Sequence, residues 1–434
     1  MAKIVIIGAG SGFGSRLSID ILARASLRDS TVALCDTHAG RLGQVRDYVQ
    51  RAIDGHKLPG KVLASCEREE LLPDADCVVT AVSVGGAAYW GQPYKAEVEI
   101  PLKFGIHQTV ADTIGIGGVF RFLRSADVHL GFAKDMERLC PDALMLNYTN
   151  PMCMLTWLHS VGSSIENVGL CHSVQGTTKK LAKGVGVDYE DISYLVAGIN
   201  HQAWVLRLRT GKDDLYPKLR EIVDCDPDFA KDRVRVEMMK QFGYFVTEST
   251  RHNAEYLPYF QRNRALREYY GLPDREPVSM ENTRKREWMK DSGVDGESPA
   301  DIPPLVESHE YASMIIEARL TGIPFAFNGN VMNHGSITNL PERSCVEVPC
   351  LADREGVHPT FVGELPPQCA ALNMTNIAVQ ELAVRAVLDR DKEAAFHACA
   401  LDPLTAATVS LPDIRKIFEE LWEAEGDRLS YFGA

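Results

Sequence analysis

The N-terminal stretch limits the choice of fold more than any other. Lys3-Ile4-Val5-Ile6-Ile7 is a short apolar run, and it ends abruptly in Gly8-Ala9-Gly10-Ser11-Gly12-Phe13-Gly14. A helical pattern follows over residues 15–25. Strand, glycine-rich turn and helix in that order open a doubly wound parallel sheet of the kind that binds a dinucleotide. Glycines let the chain turn tightly and let a pyrophosphate approach the N–H groups at the helix N-terminus. Here Gly8-x-Gly10-x-x-Phe13 carries Phe13 where the usual fingerprint has its third glycine, and Gly14 follows one place later. The next apolar run, residues 31–35, ends on Asp36. A carboxylate at that point accepts the adenosine ribose hydroxyls and repels a 2′-phosphate, which predicts NAD rather than NADP.

The alternation continues, with a helical pattern over 41–52 and short apolar runs at 62–65, 77–81, 144–147 and 168–170. It predicts an α/β fold, a doubly wound parallel (Rossmann-like) sheet over residues 1–200. After residue 200 the rhythm is lost. Residues 204–209 and 325–327 read as strands, and 372–388 as a long helix. Residues 201–434 are therefore expected to form a second, α+β domain for substrate and oligomerisation. A segment around 270–304, rich in charge, Gly and Pro, is expected to be a mobile loop.

With 434 residues, 45% of them hydrophobic, the chain can bury a large core. A formal net charge of −13 argues against nucleic acid or an anionic membrane as partner. No apolar run approaches the ~18 residues of a membrane span. The N-terminus reads as a strand and not as a signal peptide, so the expected location is cytoplasmic. The eleven cysteines include no C-x-x-C pair. Ten of them are expected to be reduced, buried thiols.

The eleventh, Cys171, belongs to one of three segments that follow apolar runs. These are Asn147-Tyr148-Thr149-Asn150-Pro151, Gly169-Leu170-Cys171-His172-Ser173-Val174-Gln175-Gly176-Thr177 and Ala197-Gly198-Ile199-Asn200-His201. Polar side chains just past strand ends face the ligand side of a doubly wound sheet. A thiolate and an imidazole from two such segments can hold a borderline divalent ion, with the remaining positions open to water or sugar oxygens. On spacing alone, a cysteine and a histidine also read as ordinary core residues.

The ordered set of segments resembles glycoside hydrolase family 4. It comprises Gly8-Ala9-Gly10-Ser11, Ala111-Asp112-Thr113-Ile114-Gly115 with Gly117-Gly118, Asn147 to Pro151, Cys171-His172-Ser173-Val174 and Gly198-Ile199-Asn200-His201. It continues through Phe242-Gly243-Tyr244, Glu248-Ser249, Ala254-Glu255-Tyr256, the run 328–335, Asn339-Leu340-Pro341 and Val346-Glu347-Val348-Pro349. The resemblance implies NAD held by Gly8, Gly10, Ser11 and Asp36, and Mn²⁺ or another divalent metal held by Cys171 and His201. It implies substrate contacts from Asp112 and Asn150.

Cys-His-Ser-Val resembles the members that cleave unphosphorylated α-galactosides or α-glucosides, and the longer strings 171–177 and 243–248 resemble α-galactosidases. The implied reaction departs from the usual two-carboxylate scheme: oxidation at sugar C3, loss of the C2 proton with the C1 leaving group, water addition and re-reduction. For the C2 base the resemblance leaves Tyr256, Tyr244 and Glu248 open, and His172 is placed to assist the leaving group. An α-glucosidase of the same family, or an NAD- and metal-dependent sugar or hydroxy-acid dehydrogenase, remain alternatives. The expected partners are a small α-galactoside and further copies of the chain in a dimer or tetramer.

Overall fold

The structure is a computed structural model and describes residues 1–85, 91–273 and 301–433. Residues 274–300, which hold most of the loop expected around 270–304, lie outside the described residues.

Lys3–Ile7 forms β1, and it is flanked by Thr31–Cys35 (β2) and Cys77–Thr80 (β4). Lys61–Ser65 (β3) pairs with β2, Leu144–Asn147 (β5) with β4, and Asn167–Gly169 (β6) with β5, all in parallel. The order β3-β2-β1-β4-β5-β6 is that of a doubly wound dinucleotide-binding sheet. Parallel strands covered on both faces need apolar residues at successive positions, not alternate ones. Accordingly Ile4 and Ile6 enter one apolar cluster while Val5 and Ile7 enter another on the opposite face. The covering helices begin with Gly12–Ala23 (α1), Ala39–His56 (α2), Tyr94–Lys103 (α3), Gly115–Leu139 (α4), Met152–Gly162 (α5) and Ser173–Val185 (α6).

Beyond β6 the same sheet continues in antiparallel fashion. Its further strands are Ile192–Ile199 (β7), Gln202–Thr210 (β8), Asp213–Asp214 (β9), Phe325–Met332 (β10), Cys345–Asp353 (β11) and Gly356–Pro359 (β12). They run β6-β10-β11-β7-β8-β9, with β12 on β11. Residue 200 thus falls in the two-residue turn of the β7–β8 hairpin, inside one continuous sheet. The seam between β6 and β10 passes through the pair Gly169 and Asn330, where the Asn330 amide donates to the Gly169 carbonyl at 3.2 Å.

The long helix expected over 372–388 spans Pro367–Asp389 and packs on α4 and α5. All eleven cysteines are free. Two of the ten expected to be buried are exposed: Cys66, just past β3, and Cys225, in the stretch after helix Tyr216–Ile222. Local apolar company does not bury a thiol at the sheet edge or in a surface turn. Among the described residues no helix is long and apolar enough to cross a membrane.

Candidate dinucleotide and metal site

The C-terminal ends of β1, β2, β4, β5 and β6 open onto one cleft of about 930 Å³. At its first end the β1–α1 turn is held open for close approach. Gly8 has φ +90°, and a Cβ there would lie 2.2 Å from the Ala81 carbonyl oxygen. The Gly10 N–H donates to Asp36 Oδ2 at 2.9 Å, and the His38 N–H donates to Oδ1 at 2.8 Å. A Cβ on Gly14 would lie 1.8 Å from the Ala9 carbonyl oxygen, so Gly14 provides the close packing usually left to the third glycine. Phe13 is thereby free to pack on Tyr148, with ring centroids 5.1 Å apart. Among the described residues the Ser11 hydroxyl has no hydrogen-bond partner, and it belongs to the cleft wall at the N-terminus of α1. An anion is the natural partner of that hydroxyl and of the N–H groups beside it. The turn and Asp36 fit a dinucleotide.

At the other end stand Cys171, two residues past β6, and His201, in the β7–β8 turn. The Tyr311 hydroxyl accepts the Cys171 N–H at 3.0 Å and fixes the backbone there. His201 has φ +62° and Glu248 φ +70°, both in the left-handed region that non-glycine residues enter at a cost. The result is a tight triad. Cys171 Sγ lies 3.4 Å from His201 Nε2, which lies 3.7 Å from a Glu248 carboxylate oxygen. Ligands ~2.0–2.3 Å from a common ion stand roughly 3–4 Å from one another.

Burial lowers His201 to about 4, which keeps its imidazole neutral with a lone pair to give. Burial, and then the charge of Glu248, raise the Cys171 thiol. A bound cation would reverse that, because it deprotonates a coordinating thiol outright. Burial opposes ionisation of Glu248, but the imidazoles of His201 and His252 hold its carboxyl below the usual range. Sulfur, neutral nitrogen and carboxylate oxygen together fit a borderline divalent ion.

His252 joins this triad to Asp112. Its Nδ1 lies 3.2 Å from Glu248 Oε1 and its Nε2 3.5 Å from Asp112 Oδ1. Burial would discharge His252, but the two carboxylates beside it hold it well above the ordinary imidazole value. Burial likewise opposes ionisation of Asp112, and His252 holds it far below the usual carboxylate range. The outcome is a carboxylate–imidazolium–carboxylate string along the cleft wall.

The profile of the family 4 glycosyl hydrolases matches residues 3–187, and that of the family 4 glycosyl hydrolase C-terminal domain matches residues 196–405. The chain belongs to family 4 of the glycosyl hydrolases. It is 42% identical over 439 residues to an alpha-galactosidase of Bacillus subtilis (strain 168), with 99% of each chain covered. It is 33% identical to an alpha-galactosidase of Rhizobium meliloti (strain 1021), covering 99% of this chain and 89% of the relative. Its fold is also that of the 6-phospho-beta glucosidase of Thermotoga maritima solved with manganese, NAD+ and glucose-6-phosphate. There the TM-score is 0.80 at 22% identity, over 97% of this chain and 98% of that one.

Within this family 4 chain, Asp112, Asn150, Cys171, His172, His201 and Glu248 all line the cleft with Gly8, Gly10, Ser11 and Asp36. Two residues considered for the C2 base do not. Tyr256 is 1% exposed, and its hydroxyl is buried outside the cleft lining without a hydrogen bond among the described residues. Burial also raises it well above the ordinary phenol value. Tyr244 lines a different hollow with Arg207, Arg209 and Arg220. Glu248 faces the cleft, but as the third member of the Cys171–His201 cluster.

Sequence reading missed His252 and Arg121, both in the cleft wall. A signal for His252 was present. Ser249 caps helix Thr250–Glu255, and Glu248 and His252 are four residues apart, so one turn brings them together. Arg121 had no such signal, because it sits in an otherwise apolar stretch of α4 and is itself buried.

Proposed function

We infer that this chain hydrolyses terminal α-galactosides with NAD⁺ and a divalent cation such as Mn²⁺ as retained cofactors. One observation carries the reading: a single cleft runs from the Gly8–Ser11 turn and Asp36 to Cys171, His201 and Glu248. When bound there, the dinucleotide supplies hydride removal and return at sugar C3, and the cation supplies Lewis acidity at the neighbouring oxygens.

The chain's own residues do the rest. Asp36 would hold the adenosine ribose, and Ser11 and the α1 N-terminus the pyrophosphate. Cys171, His201 and Glu248 would hold the cation, which would supply Lewis acidity to the bound sugar. Asp112, a weak base because His252 holds it low, would take the C2 proton only once oxidation at C3 has acidified it, and Glu248 would stay with the metal. His172, at the mouth of the cleft with its side chain 54% exposed, gives a proton to the departing oxygen. Asn150 and Arg121 bind sugar hydroxyls. A galactoside is favoured by the two alpha-galactosidase relatives and by the Cys171-His172-Ser173-Val174 string.

The same reading has the chain acting in the cytoplasm as a homo-oligomer. Residues 1–200 carry the cofactor, and 201–434 complete the sugar site and the subunit contacts. The test is a panel of p-nitrophenyl α-galactoside and α-glucoside, each with and without NAD⁺ and Mn²⁺. Hydrolysis of the galactoside that needs both cofactors and leaves no net NADH supports the reading. Preference for the glucoside, or NADH accumulating with each turnover, overturns it.

A further inference from the structure

A second cluster of metal-type ligands stands at the mouth of the cleft, one residue along the chain from Cys171. His172 Nδ1 lies 3.7 Å, and His309 Nε2 3.3 Å, from the same oxygen of Glu310. The three ligand atoms all lie within 4.8 Å of one another. Donors bound ~2.0–2.2 Å from one tetrahedral ion stand roughly 3.3–3.6 Å apart, and both imidazole–carboxylate distances lie near that value.

The burial pattern is that of a site open on one side. The side chain of Glu310 is 1% exposed, while those of His172 and His309 are 54% and 56% exposed. Both carboxylate oxygens of Glu310 are buried, and among the described residues neither accepts a hydrogen bond of ordinary length. Against burial, His172 above all, with His309 and Arg16, supplies the positive charge that faces them and holds the carboxyl below its usual range. A buried carboxylate faced by two exposed imidazoles is a seat where a divalent cation can replace the imidazole protons as the compensating charge. Arg16 offers only a loose charge contact at 3.8 Å.

The loop is also pinned in place. Asp20 on α1 accepts the Ser308 N–H at 2.6 Å and the Ser308 hydroxyl at 2.7 Å, and the Glu310 N–H donates to that hydroxyl oxygen at 3.1 Å. His309 and Glu310 are thus presented to His172 by a fixed turn.

We propose that His172, His309 and Glu310 form a second divalent-cation site, distinct from the Cys171–His201–Glu248 cluster and suited to zinc. Two imidazoles and one carboxylate with an open fourth position are a zinc donor set, and they favour such an ion over magnesium or calcium. An ion there takes the lone pair of His172 Nδ1 and occupies the cleft mouth, so zinc inhibits any chemistry that uses His172.

The test is equilibrium dialysis of chelator-treated protein against Zn²⁺, with the bound metal counted by elemental analysis. Wild type is expected to hold two zinc ions, Cys171→Ser one, His309→Ala one, and the double variant none. Because His309 is exposed and outside the cleft lining, His309→Ala is expected to fold and to keep wild-type hydrolysis without zinc. With Mn²⁺ saturating, zinc should inhibit wild type at concentrations at least tenfold lower than it inhibits His309→Ala. The count does not depend on the sugar reaction, so it stands apart from the galactosidase reading. Equal zinc content in wild type and His309→Ala, no zinc on Cys171→Ser, or equal zinc inhibition with and without His309 overturns the proposal.

Discussion

Sγ of Cys171 and Nε2 of His201 lie 3.4 Å apart, although thirty residues separate them in the chain. Two sheet connections create that proximity. One is the turn after β6, and the other is the two-residue turn of the β7–β8 hairpin. The hairpin turn holds His201 at φ +62°, and Glu248 reaches the same point at φ +70°. Two non-glycine residues kept in the left-handed region beside the half-buried thiol of Cys171 mark the kind of fixed, strained geometry that clusters at ligand sites.

Removing any one of Cys171, His201 and Glu248 therefore weakens the cation site. Cys171→Ser, His201→Ala and Glu248→Gln are each expected to lower Mn²⁺ affinity by at least tenfold and to abolish turnover, with the far-UV circular dichroism unchanged. Direct titration with Mn²⁺ followed by electron paramagnetic resonance checks it. A Cys171→Ser protein that binds Mn²⁺ as tightly as wild type contradicts the assignment.

Asp36→Ala is expected to weaken NAD⁺. It removes one or two charge-assisted hydrogen bonds to ribose, each worth about 1.5–3 kcal/mol. It also frees the Gly10 and His38 N–H groups that the carboxylate now receives. Calorimetry should show a loss of at least tenfold in affinity. An unchanged affinity would show that Asp36 does not carry the ribose.

The proton-transfer assignment separates two neighbours of the site. Tyr256→Phe removes a hydroxyl that is buried outside the cleft lining and makes no hydrogen bond among the described residues, so kcat should stay within a few-fold of wild type. Asp112→Asn removes the cleft carboxylate at the end of the His252 string, and should cost about 10²–10⁴ in kcat. Steady-state kinetics of the two variants decide it. A collapse in Tyr256→Phe with Asp112→Asn intact reverses the roles.

Glu255 gives the fold a pH dependence of definite sign. It is fully buried and accepts the Val110 N–H at 2.6 Å and the Ala111 N–H at 3.1 Å, which holds the turn before Asp112. Burial pushes its carboxyl up to about 7. An unfolded glutamate titrates near ~4.3, so between those values the folded state binds the extra proton. The contribution to stability is full below the lower value and is lost as pH rises through the upper one. Urea unfolding between pH 5 and pH 8 should show wild type losing more stability on that rise than Glu255→Gln. Equal losses in the two proteins would contradict the assignment.

The sequence carried the fold where physics is local. Apolar runs, glycines and Asp36 announced β1, its turn and β2, because tight turns and parallel strands admit few residue types. It did not carry the antiparallel half as part of the same sheet, since Gly169 and Asn330 meet through a pairing that no periodicity encodes. At the site, Cys171 and His201 were legible from segments just past strand ends. Glu248 was visible as a candidate base, but its place beside Cys171 and His201 was not, because that depends on a long-range approach to His201. Tyr256 looked apt for its proximity in sequence, and the structure places it beside His201 but outside the cleft lining. His252 was recoverable from its four-residue spacing to Glu248. Arg121 and Glu310 were not, since charged residues buried by tertiary packing leave no local pattern.

The central claim is that the bond to the aglycone is broken by elimination across C1 and C2 and not by displacement at C1. Complete hydrolysis of an α-galactoside in D₂O, with NAD⁺ and Mn²⁺ present, followed by proton NMR of the recovered galactose, tests it most directly. Elimination requires the C2 proton to leave, so deuterium is expected at C2 of the product. Substrate deuterated at C2 identifies a base shielded from solvent, because label then returns to the product with a slowed rate. Galactose with no deuterium at C2, together with no rate effect from C2-deuterated substrate, would contradict the account.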